Sequence, residues 1–134
     1  MITSEVEYLG NLRTKCTHLS SGTEILTDAP TDNQGKGEAF SPTDLLATAL
    51  SSCMFTIMGI AARTHQINIE GATCSTTKIM ATEPRRVMEV IIEFNFPPLN
   101  LSSKEKQLLE NAAKHCPVAK SLHTDLKQTI IFNF

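Results

Sequence analysis

Residues 45–62 carry no charged side chain over 18 consecutive positions. That run constrains the fold more than any other feature of the chain. Its length is at the lower edge of a transmembrane span. Thr48, Ser51, Ser52, Thr56 and Gly59 dilute its apolar character, and no second span follows. The reading is therefore a helix at the centre of a soluble domain. A helix apolar on nearly every side needs protein around it. In a chain of 134 residues, a second subunit can supply part of that cover.

The rest of the chain supports one domain, residues 1–134, with one core. Hydrophobic residues are 41% and charged residues 19%, ordinary for a globular protein. The net charge of −2, the absence of a basic stripe and the few aromatics argue against nucleic acid. The start, Met1-Ile2-Thr3-Ser4-Glu5, does not read as a signal peptide, so a cytoplasmic address and no membrane association are expected. Thiols stay reduced in that compartment, and the four cysteines do not form a structural disulfide framework.

Short strands are expected at 5–9, 12–18 and 24–27, with a turn at Ser20-Ser21-Gly22. Residues 28–40 read as a loop, broken by Pro30, Asn33, Gly35 and Gly37. Ser41-Pro42 opens the long helix, with Asp44 at the positive end of its dipole. Strands are expected at 67–81 and 86–96, joined by a turn at 82–85. A serine-capped helix begins at Ser102-Ser103, with Leu108, Leu109, Ala112 and Ala113 in one stripe. Pro117 breaks it, a short helix follows to about 122, and residues 129–134 close as a strand. The fold class is α+β, with the long helix packed on an antiparallel sheet.

The chemistry lies in two cysteines, 63 positions apart. Cys53 sits in the middle of the long helix. It is either a small core hydrophobe or, given a cation from elsewhere, a nucleophile. Arg13 is the candidate cation, and Asp44 the carboxylate that would hold its guanidinium in a bidentate pair. Cys116 precedes Pro117, where a sulfur capping a new helix would feel unpaired amides and have its pKa lowered. His115 adjoins it but faces elsewhere. Cys16 and Cys74 read as structural. No Cys-x-x-Cys or His-x-x-x-His pair supports a metal site. No nucleophile elbow supports a Cys–His hydrolase, and no glycine pattern supports phosphate binding.

Three segments carry a resemblance. The first is Thr27-Asp28-Ala29-Pro30, with Gly35-Lys36-Gly37 and Phe40-Ser41-Pro42-Thr43-Asp44-Leu45-Leu46. The second is Ala47-Thr48-Ala49-Leu50-Ser51-Ser52-Cys53, and the third is His115-Cys116-Pro117-Val118-Ala119-Lys120-Ser121-Leu122. In order and spacing the chain resembles the OsmC/Ohr family of thiol peroxidases. The resemblance implies an intertwined homodimer with long central helices between curved sheets and two interface sites. It implies that Cys53 attacks an organic hydroperoxide or hydrogen peroxide and becomes a sulfenic acid, which Cys116 converts to a disulfide. An external dithiol, such as a lipoyl protein, would then reduce that disulfide, with no cofactor and no metal. An arginine near the N-terminus, matched to Arg13, and a glutamate just after the proline would keep the first thiol ionised. Here Thr43 follows the proline and Asp44 is the nearest acid, so the chain looks more like the broader OsmC-like branch than Ohr itself. The alternative readings are a dimeric protein that binds a small ligand and a redox sensor working through a reversible disulfide.

Overall fold

The structure, a computed structural model, describes residues Met1–Phe134. The chain forms two compact units, Met1–Leu46 and Ala47–Phe134.

The first unit is a three-stranded antiparallel sheet, β1 (Ser4–Gly10), β2 (Arg13–His18) and β3 (Glu24–Asp28), in that order. Asn11 and Leu12, both at positive φ (54° and 61°), make the tight turn between β1 and β2. Register places Val6, Cys16 and Ile25 in one cross-strand row and Tyr8, Thr14 and Thr27 in another. Residues two apart share a face, so both rows lie on the same side of the sheet. Arg13 and Asp28 are directly opposite each other in the β2–β3 pair. The loop after β3 contains a short 3-10 turn at Thr31–Asn33. Gly35 is required there, because a side chain would collide with the Ala29 backbone.

The long helix α1 runs Pro42–Thr64. By length and composition it could cross a membrane. Its buried residues Ala47, Leu50, Ser51, Met54, Met58 and Ala62 recur at helical spacing and belong to the core of the second unit. The side carrying Ala49, Ser52, Thr56 and Ile60 is exposed.

The second unit packs α1 with β4 (Thr73–Ala81), β5 (Arg86–Asn95), α2 (Ser103–Lys114), α3 (Pro117–Ser121) and β6 (Lys127–Asn133). β5 buries Val90, Ile92 and Phe94 at period two. Phe94 meets Phe55 of α1 edge-on at 4.8 Å and stacks on Phe132 of β6 at 5.4 Å. Ser102 and Glu105 form a reciprocal capping box at the start of α2.

The α+β class and the antiparallel strands match the expectation. Two details differ. β4 starts at Thr73 rather than at 67, because a turn intervenes in which Ala72 N–H donates to the Ile69 carbonyl at 3.0 Å and Gly71 has φ 91°. β6 runs parallel to β5, which makes the second sheet mixed. A parallel neighbour needs a crossover, and α2–α3 is that crossover.

Candidate active site

Cys53 and Cys116 come together in the second unit, where each is positioned by a helix. α1 carries Cys53 half-buried against the core. The α2–α3 break carries Cys116, which is fully buried. Pro117 starts α3 at its first position, and the Cys116 sulfur caps it by accepting the Ala119 N–H at 3.3 Å. The cap is as expected, but its effect on acidity is not. Burial pushes the Cys116 thiol up, the Ala119 amide pulls it down by less, and the hydrogen-bonding Cys53 side chain pushes it up further. The net shift is upward. Desolvation in the core outweighs one amide at the mouth of a five-residue helix. His115 turns away and uses Nδ1 on the Asn111 carbonyl at 2.7 Å.

Arg13 lies in the first unit. Its Nε donates to Asp28 Oδ1 at 2.7 Å and its Nη2 to Asp28 Oδ2 at 2.8 Å. The Asp28 side chain is 1% exposed and the Arg13 side chain 29%. Arg13 holds the Asp28 carboxyl below the usual carboxylate range, chiefly through these bonds. The Glu38 carboxylate stands 3.7 Å from Nη2. The bidentate partner of Arg13 is thus Asp28, where the sequence pointed to Asp44. Asp44 instead pairs reciprocally with Ser41: the Ser41 N–H donates to its carboxylate and its own N–H donates to Ser41 Oγ, both at 3.0 Å. This is a capping box at the start of α1.

Asp28 was missed because strand 24–27 was ended one residue early, which left Asp28 in the loop. A hairpin turning at Ser20-Ser21-Gly22 pairs positions that sum to 41, and so pairs 13 with 28. Cys16 lies on β2 beside Thr14, and Cys74 on β4 opposite Phe94. All four cysteines are free thiols.

A family model described as OsmC-like protein matches residues 35–130. The chain belongs to the OsmC-like family. A solved structure from Psychrobacter arcticus 273-4, named for osmotic stress induction and detoxification response, is 56% identical; the match covers 99% of this chain and 96% of that one, with a TM-score of 0.95. An organic hydroperoxide resistance protein OsmC from Legionella pneumophila is 15% identical, with coverage of 100% and 98% and a TM-score of 0.77. An organic hydroperoxide resistance protein from Elizabethkingia anophelis is 16% identical, with coverage of 99% and 96% and a TM-score of 0.75. At those identities the last two establish the OsmC-like fold. Comparison with curated proteins gives no match.

Proposed function

We propose that this OsmC-like protein is a cysteine peroxidase that reduces organic hydroperoxides. The observation that carries the reading is the meeting of Cys53 and Cys116 across 63 positions of sequence, one half-buried on the central helix and the other at the cap of α3. The Cys53 thiolate attacks the distal peroxide oxygen. The O–O bond breaks, an alcohol leaves after taking up a proton, and Cys53 becomes a sulfenic acid. Cys116 then attacks that sulfur, the S–O bond breaks, water leaves and a disulfide forms. The thiol pair has lost two electrons, and an external dithiol returns them by exchange.

In this reading Arg13 is the cation that keeps Cys53 ionised, and Asp44 fixes the start of the helix that bears it. The working form is a homodimer. Exposed Val6, Tyr8 and Ile25 on one face of the first sheet, and the exposed side of α1, support a second copy as cover. The raised Cys116 pKa favours one neighbouring reading, a redox sensor whose sulfenic acid is resolved slowly.

Cumene or tert-butyl hydroperoxide supplied with dihydrolipoamide tests the proposal. Cys53→Ser is expected to abolish consumption, and Cys116→Ser to leave a sulfenic acid that dimedone traps. No turnover above a dithiol-only control would sink the peroxidase reading. A disulfide that forms without turnover would favour the sensor.

A further inference from the structure

We propose that Asp28, on β3, is the positioning residue that sets the orientation of Arg13 for thiol chemistry at Cys53. This rests on the reading of Arg13 as the cation serving that thiol. The resemblance places the orienting acid just before the central helix, whereas the geometry here places it on a strand.

Four observations carry the assignment. Asp28 is almost completely buried, and a buried carboxylate persists only when its oxygens are matched by donors. Oδ1 accepts Arg13 Nε, and Oδ2 accepts both Arg13 Nη2 and the Glu38 N–H, the last at 3.0 Å. The two residues also face each other in the β2–β3 register, so the ladder itself dictates where the guanidinium points. Third, the pair engages only the Nε–Nη2 edge. Nη1 makes no hydrogen bond within the chain, and the side chain stays partly exposed, so one edge of a rigid cation remains on offer. Finally, the clamp is built into the loop that leads to α1. The Asp28 N–H donates to the Phe40 carbonyl at 3.1 Å, and the Gly37 N–H to the Ala29 carbonyl at 3.2 Å. The Asp44 carboxylate accepts the Ser41 N–H, and Glu38, mostly exposed, is the more distant acid.

A thermodynamic cycle on the full-length protein tests this. The variants are Asp28→Asn, Arg13→Ala and the double variant. Two rates are read: tert-butyl hydroperoxide consumption with dihydrolipoamide, and Cys53 alkylation by iodoacetamide across pH, followed by peptide mass. A positioning residue that acts through Arg13 predicts that each single change slows both rates by about tenfold to a hundredfold. The double variant should then be no slower than Arg13→Ala alone. Wild-type rates in Asp28→Asn, or losses that multiply in the double variant, overturn the assignment. If the wild-type protein consumes no hydroperoxide, the peroxidase reading fails, while Cys53 alkylation still decides the role of Asp28. If Asp28→Asn does not fold, Asp28→Glu, which keeps the charge, takes its place. Slowing that depends on Arg13 supports the proposal; slowing that ignores Arg13, or no slowing, overturns it.

Discussion

Cys116 illustrates how two local effects compete at one sulfur. Helix capping favours the thiolate and burial favours the thiol, and burial prevails. A group whose folded pKa is raised binds its proton more tightly in the folded chain. It therefore favours folding below the unfolded thiol value of about 8.5, and that contribution is lost as pH climbs through the folded value. Alkylation of Cys116 in a Cys53→Ser background should thus need a more alkaline medium than a free cysteine does; an ordinary thiol profile would contradict it. Asp28 has the opposite sign. Its carboxyl is depressed by Arg13, so its stabilisation is present above the unfolded value of about 3.9 and fades as pH falls through the folded one. Urea unfolding followed from pH 5 downward should show a shallower loss of stability in Asp28→Asn than in the wild type. Both sulfurs were legible in the sequence, since the motif around each names a helix position. The bidentate acid was not, because it depends on where β3 ends and on register, neither of which residue type alone sets.

At the scale of elements, the helices read most clearly. Ser41-Pro42 and Ser102 announce their starts chemically, and the stripe Leu109–Ala113 shows which side of α2 goes inward. Ser102→Ala removes the hydroxyl that accepts the Glu105 N–H at 3.1 Å and should cost about 1 kcal/mol of stability in denaturant titration. Phe94→Ala should cost more, about 3–5 kcal/mol, because its ring contacts Phe55, Phe96 and Phe132 from the middle of β5. The strands were less legible. Ile67 and Ile69 have strand-type side chains, yet the Glu70 N–H donates to Asn68 Oδ1 at 2.9 Å and Gly71 turns the chain before β4 begins. The direction of β6 was hidden altogether. Its composition is the same whether it pairs parallel or antiparallel, and only the crossover settles the matter.

The whole molecule exposes ten large apolar side chains within its first 46 residues, among them Val6, Tyr8, Ile25 and Phe40. A three-stranded sheet with that much uncovered apolar surface gains from a second copy. Light scattering should therefore report about twice the chain mass, with Ile25→Glu and Tyr8→Lys shifting the population toward single chains. A monomer at all concentrations would count against the dimer. The parallel strand β6 also bears on how the site is made. Cys53 leaves the ribosome with α1, but its partner thiol belongs to a crossover whose far end is pinned only when β6 joins β5. Pairings of such long range form late. A growing or refolding chain thus carries its first sulfur alone for a time, open to oxidants and to other thiols. Reducing conditions during synthesis should matter more to this protein than they do once the last strand has closed.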